Sequence, residues 1–107
     1  MYRQGDVLII PIRTTPPPLG EKLPLDESGE GVILAHGEAT GHKHFLRGRD
    51  VGLWELAGGD PATRFCRVGG GAVLRHEEHG KINIPAGNYL IRRQREYTPE
   101  ALRLVGD

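Results

Sequence analysis

Apolar residues along this chain fall in short runs, and each run ends at glycine, proline or a small polar residue. Residues 7–12 (VLIIPI) form the first run, introduced by Gly5 and Asp6, and their β-branched content predicts a strand. The apolar positions are consecutive rather than alternating, which predicts cover on both faces, and Pro11 predicts an edge or a bulge near the strand's end. Residues 32–36 (VILAH) predict a second strand, 37–41 a turn, and 42–46 a third strand. Residues 51–56 predict a fourth, carrying the chain's single tryptophan, Trp54. The GGDP turn at 58–61 leads to a fifth strand over 64–68, and the triple glycine 69–71 breaks the chain again. The last third reads as a strand over 72–76, a turn at 77–80, and a strand over 81–84 with Ile82 and Ile84 on one face. Pro85, Ala86 and Gly87 then make a turn of the type II pattern, followed by a long strand over 88–97. Thr98 and Pro99 supply an N-cap and a first helical residue, which predicts a short helix over 100–105 ending at Gly106.

Residues 14–31 show no such pattern. Three consecutive prolines impose extended backbone, and Glu, Asp, Ser and Gly dominate the remainder, so this stretch is expected as a loop or arm that is either mobile or functional. It is too short for a separate domain, and residues 1–107 are expected to form one domain. About eight short strands, a terminal helix, and the spacing of 16 glycines and eight prolines predict an all-β fold, a small barrel or a sandwich. The same spacing excludes a helical bundle.

Composition narrows the function classes. With 37% hydrophobic and 26% charged residues the chain reads as globular. Formal net charge is zero, so no overall field announces a nucleic-acid or membrane partner. Residues 1–60 carry six Lys/Arg against nine Asp/Glu, and residues 61–107 eight against five, an asymmetry that permits a basic patch. The single Cys66 has no intramolecular disulfide partner and reads as a core residue. The opening MYRQGDVLIIPI lacks a cleavage pattern, and no stretch approaches the ~20 apolar residues of a membrane span. The expectation is a soluble, cytoplasmic protein with no membrane association. Exposed strand edges and the proline-rich arm make a homo-oligomer a reasonable expectation.

The chemistry lies in the histidines. Side chains two apart on a strand point the same way, so His42 and His44 offer two imidazoles to one side while Lys43 and Phe45 face the other. Such a pair suits Zn²⁺ first, with Fe, Mn, Ni or Cu as alternatives. A metal site needs further ligands, and His76-Glu77-Glu78-His79 is the evident supplier. His76 shares a face with Ala72 and Leu74 and ranks first; His79 joins the same ion only if 77–80 is a turn. Four of the five histidines thus fall in two compact motifs, each at the mouth of an expected hairpin. His36 is read as a structural or supporting residue.

Two resemblances attach to these residues. The run GEATGHKH at 37–44 resembles the His-x-His element of the cupin superfamily, and IPAGN at 84–88 resembles the Pro-x-Gly turn of its second motif, which together imply a metal-binding β-barrel. The glutamate of the cupin pattern is missing from FLRGRDVGLWE after His44, and the histidine expected after Pro-x-Gly is missing from NYLIRR. The combination of TGHKH, HEEH and RQREYTP also resembles a set of small uncharacterised bacterial and phage proteins, a likeness that implies no activity.

Three functional classes follow. Three histidines on one divalent ion would leave a position for water and support hydrolysis or hydration of a small-molecule substrate, with Glu77 or Glu78 as general base or as partner to an imidazole N–H. His-x-His with a distant third histidine resembles the ligand layout of α-type carbonic anhydrases. Four histidines would instead close a structural zinc site. A third class, nucleic-acid or protein binding, would use Arg92, Arg93 and Arg95 with Tyr89 and Tyr97, but Glu96 and the absence of net positive charge favour a solvated strand edge.

Overall fold

A computed structural model of the chain describes residues 1–36, 42–77 and 79–93. Ten strands are formed: β1 (Tyr2–Gln4), β2 (Val7–Ile12), β3 (Leu19–Leu23), β4 (Gly31–His36), β5 (Lys43–Arg47), β6 (Val51–Leu56), β7 (Thr63–Val68), β8 (Ala72–Arg75), β9 (Ile82–Ile84) and β10 (Gly87–Arg93). The all-β expectation holds. The expected turn over 37–41, the strand beyond Arg93 and the helix over 100–105 lie outside the described residues.

The strands make two antiparallel sheets, one ordered β1-β2-β10-β7-β6-β3 and the other β4-β5-β8-β9. The barrel alternative is therefore corrected. Among the described residues no ladder joins the two sheets, so β1, β3, β4 and β9 remain edges, and a barrel requires every edge to be paired. The sheets share one core instead. Val7, Ile9, Leu53, Cys66, Val68, Tyr89 and Ile91 come from the larger sheet, and Val32, Leu34, Leu46, Leu74 and Ile84 from the smaller. Cys66 is fully buried here, and burial pushes its thiol up to about 12.

Three details position the site. β2 buries Val7 and Ile9 and half-buries Leu8 and Ile10, which accounts for its unbroken apolar run. Pro11 lies past the reach of β1, whose ladder with β2 ends at Ile9, so its missing N–H falls where β2 is bordered by β10 alone. Between β4 and β5 the register shifts from Ile33↔Phe45 to Ala35↔His44, a bulge that leaves Leu34 as the extra residue beside His44.

The stretch 14–31 is not all loop, since β3 arises inside it and pairs with β6. Four of its five residues are exposed, so β3 is held by backbone hydrogen bonds, with Lys22 Nζ 5.2 Å above the Trp54 ring. No helix of the described residues is long and apolar enough to cross a membrane.

Candidate metal centre

The smaller sheet assembles the histidines through its register. Leu46 pairs with Leu74 and Phe45 with Arg75. One step further along the same antiparallel pair, His44 falls opposite His76, and opposed residues point to the same face. Their ring centroids lie 4.3 Å apart. The chain then bends at Glu77 and at His79 and turns the His79 ring back to 4.6 Å from His76 and 6.0 Å from His44. The His79 N–H donates to His76 Nδ1 at 3.3 Å across this bend. His42, just ahead of β5, sets its ring edge-on to His76 with centroids 5.6 Å apart. All four expected histidines are thus neighbours.

They do not play one role. The group whose ligand atoms converge is His42, His76 and Glu77, all within 4.8 Å of one another. Glu77 stands where a general base was expected from the sequence, but its carboxylate is drawn into this group. Its own backbone N–H and that of Lys43, which donates to Oε2 at 3.1 Å, hold it below the usual glutamate range. His42 and His76 add to the same effect. An ionised carboxylate with two imidazoles is the donor set of borderline divalent cations. Glu78 lies outside the described residues.

His44 is held differently. It is 3% exposed and its Nδ1 lies 3.0 Å from Gln4 Oε1. The Gln4 amide nitrogen donates to the carbonyls of Leu74 (3.3 Å) and Gly80 (2.9 Å), which fixes its oxygen as the acceptor toward the ring. His44 therefore carries its proton on Nδ1. Burial lowers its pKa, with His76 acting in the same direction, so the ring is neutral at neutral pH. Nε2 is then a lone pair, and its 3.5 Å approach to Asp6 Oδ1 is a contact of two acceptors rather than an ion pair. The Arg93 guanidinium holds Asp6 from the other side, Nε to Oδ2 at 2.6 Å, and also donates to the His36 carbonyl at 2.9 Å. The sequence reading of His36 as a supporting residue rests here on its backbone alone.

Gln4 and Asp6 are residues that sequence reasoning missed, and Arg93 was read only as part of a basic strand. They sit at the β1–β2 turn and near the end of β10, about 40 to 60 positions from the histidines they contact. The one local signal was Gly5-Asp6. A two-residue hairpin loop with glycine first, at φ +58°, belongs to the type II′ pattern and places Gln4 and Asp6 at the sheet end. Gly5 also leaves room for the cluster, since a Cβ there would come within 2.8 Å of His79 Nε2 and 3.2 Å of His44 Cε1.

Of the residues expected for a basic, base-stacking strand, two are engaged elsewhere. Tyr89 is 3% exposed and its hydroxyl donates to the Pro85 carbonyl at 2.6 Å, while Arg93 is committed to Asp6. Arg95 and Tyr97 lie outside the described residues.

Residues 3–94 match the family model described as a domain of unknown function, DUF8820, and the chain belongs to that family. No curated protein and no solved structure matches it.

Proposed function

We propose that this member of the DUF8820 family binds one divalent metal ion through His42, His76 and Glu77, with zinc the first choice. The observation that carries the reading is the convergence of the three ligand atoms to within 4.8 Å of one another, on two chain segments fixed by the β5–β8 register. A metal with three protein ligands keeps a coordination position for water or substrate and supplies Lewis acidity there, the arrangement of a reactive site rather than a closed structural one. Support for the open form comes from His44. It is not among the ligand atoms that converge, and its ring packs against His76 as a buried neighbour with Nδ1 held by Gln4. The likeness of TGHKH to the cupin His-x-His element points the same way, with Glu77 in place of the carboxylate that is missing after His44. Hydrolysis or hydration of a small molecule is the chemistry such a centre would serve.

Metal analysis of the purified protein tests the reading. About one equivalent of metal per chain is expected, falling below about a tenth in His42→Ala and His76→Ala and recovered only weakly in Glu77→Gln. Less than a tenth of an equivalent in the wild type, unchanged after incubation with zinc, would remove the proposal. Cobalt substitution then separates the two forms of site. A five-coordinate or water-exchanging spectrum supports the open centre, and a four-coordinate spectrum that His44→Ala or His79→Ala alters would convert it to a closed structural zinc site.

A further inference from the structure

The two sheets part at one end into a cleft of about 690 Å³, formed by the β1–β2 turn, β4, the start of β7 with the loop before it, and the end of β10. That volume lies within the ~300–1,000 Å³ of small-molecule sites. Its floor is apolar, with Val7, Leu34 and Ile91 continuing the shared core into the opening. Its charged wall is lopsided. Among the described residues, Arg64, Arg92 and Arg93 face a single carboxylate, Asp6, and Arg93 is already paired with it.

Arg64 is the telling residue. It alternates with Cys66 and Val68 along β7 and so belongs to the inward face, where Ile91 is its neighbour on β10. It is half-buried, and among the described residues no acidic side chain pairs with it. Glu55, opposite it on β6, is exposed and makes no ion pair with it. A guanidinium partly removed from water and lacking a carboxylate partner is an incomplete anion site, because its planar donor fork matches carboxylate and phosphate oxygens. Arg92, one position beyond Ile91, adds a second cation at the rim.

We propose that this cleft binds a small organic anion, its carboxylate or phosphate group on Arg64 and its apolar body against Leu34 and Ile91. The inference does not depend on the metal reading. It adjoins that site, however, because Asp6 lines the cleft and also stands 3.5 Å from His44 Nε2.

Calorimetric titration of the chelator-treated protein tests this separately from metal binding. Hexanoate, hexyl phosphate, hexanol and inorganic phosphate are the probes. At least one of the two alkyl anions is expected to bind about tenfold or more tighter than both hexanol and inorganic phosphate. Whichever of the two binds tighter identifies the headgroup. Arg64→Gln should weaken that binding about tenfold, while Lys81→Gln, at an exposed position away from the cleft, should not change it. If Arg64→Gln fails to fold, amide shift mapping on the wild type replaces it, with the largest shifts expected at residues 34, 64 and 91. Equal affinity for hexanol and the anions, no binding by any probe, or shifts that spare these residues would overturn the proposal.

Discussion

A buried imidazole is stable only when its donor and acceptor find partners, and His44 shows how much of this protein is arranged around one such ring. Gln4 reaches it from the first strand with an amide whose nitrogen is spent on two backbone carbonyls, so a single side chain fixes the ring's tautomer and closes off Leu74 and Gly80. Gln4→Leu keeps the approximate volume and removes every one of these bonds. It would leave the His44 Nδ1–H and two carbonyls without their partner in a site that is 2% exposed at Gln4. The expected loss is about 1–3 kcal/mol of stability, read as a lower urea midpoint with an unchanged slope. A midpoint within error of the wild type would mean that water replaces the amide. The same substitution should also broaden the His44 ring resonances, since nothing else holds Nδ1 at 3.0 Å.

At the scale of elements, the strands with apolar periodicity were legible and those without it were not. β2, β4, β6, β7, β8 and β9 fall within a residue or two of their expected limits because each puts at least one large apolar side chain into the core. β1 and β3 escaped notice for the opposite reason. β3 is an exposed edge strand held by backbone bonds, and neither leaves a pattern in the sequence. The candidate site divides in the same way. Spacing within two short motifs pointed to His42, His44 and His76, with Glu77 expected as a base, whereas the contacts of Gln4, Asp6 and Arg93 depend on long-range pairing. The structure also separates the two members of the expected pair: His42 lies just ahead of β5, and His44 is the buried one on it. In the regular part of the same ladder lies Gly31, where a Cβ would run into the Leu46 carbonyl and lie 2.9 Å from the Arg47 Cα. Gly31→Ala is therefore expected to cost about 1–3 kcal/mol, or more if the β4–β5 ladder cannot shift. Urea unfolding measures the cost, and a loss under about 0.5 kcal/mol would show that the ladder shifts enough to absorb the methyl group.

The whole molecule places its two sheets over one core, and this determines how the candidate site responds to damage elsewhere. Trp54 lies on β6 in the larger sheet, while the rings of His44 and His76 belong to the end of the smaller one. Each sheet supplies one wall of a single cluster that includes Leu53, Cys66 and Ile91 on one side and Leu46, Leu74 and Ile84 on the other. Neither wall can keep its apolar face buried once the other leaves, and both belong to the same cluster among the described residues. Unfolding should then be a single cooperative step. Trp54 fluorescence and the His44 and His76 ring resonances, followed in the same urea series without added metal, are expected to share one midpoint. Leu74→Ala, at a side chain with no exposed surface, should lower both midpoints together by the equivalent of about 2–5 kcal/mol. Histidine signals that vanish at lower urea than the Trp54 transition would show instead that the smaller sheet opens alone. The convergence of His42, His76 and Glu77 would then belong to a part of the fold that a ligand has to hold together.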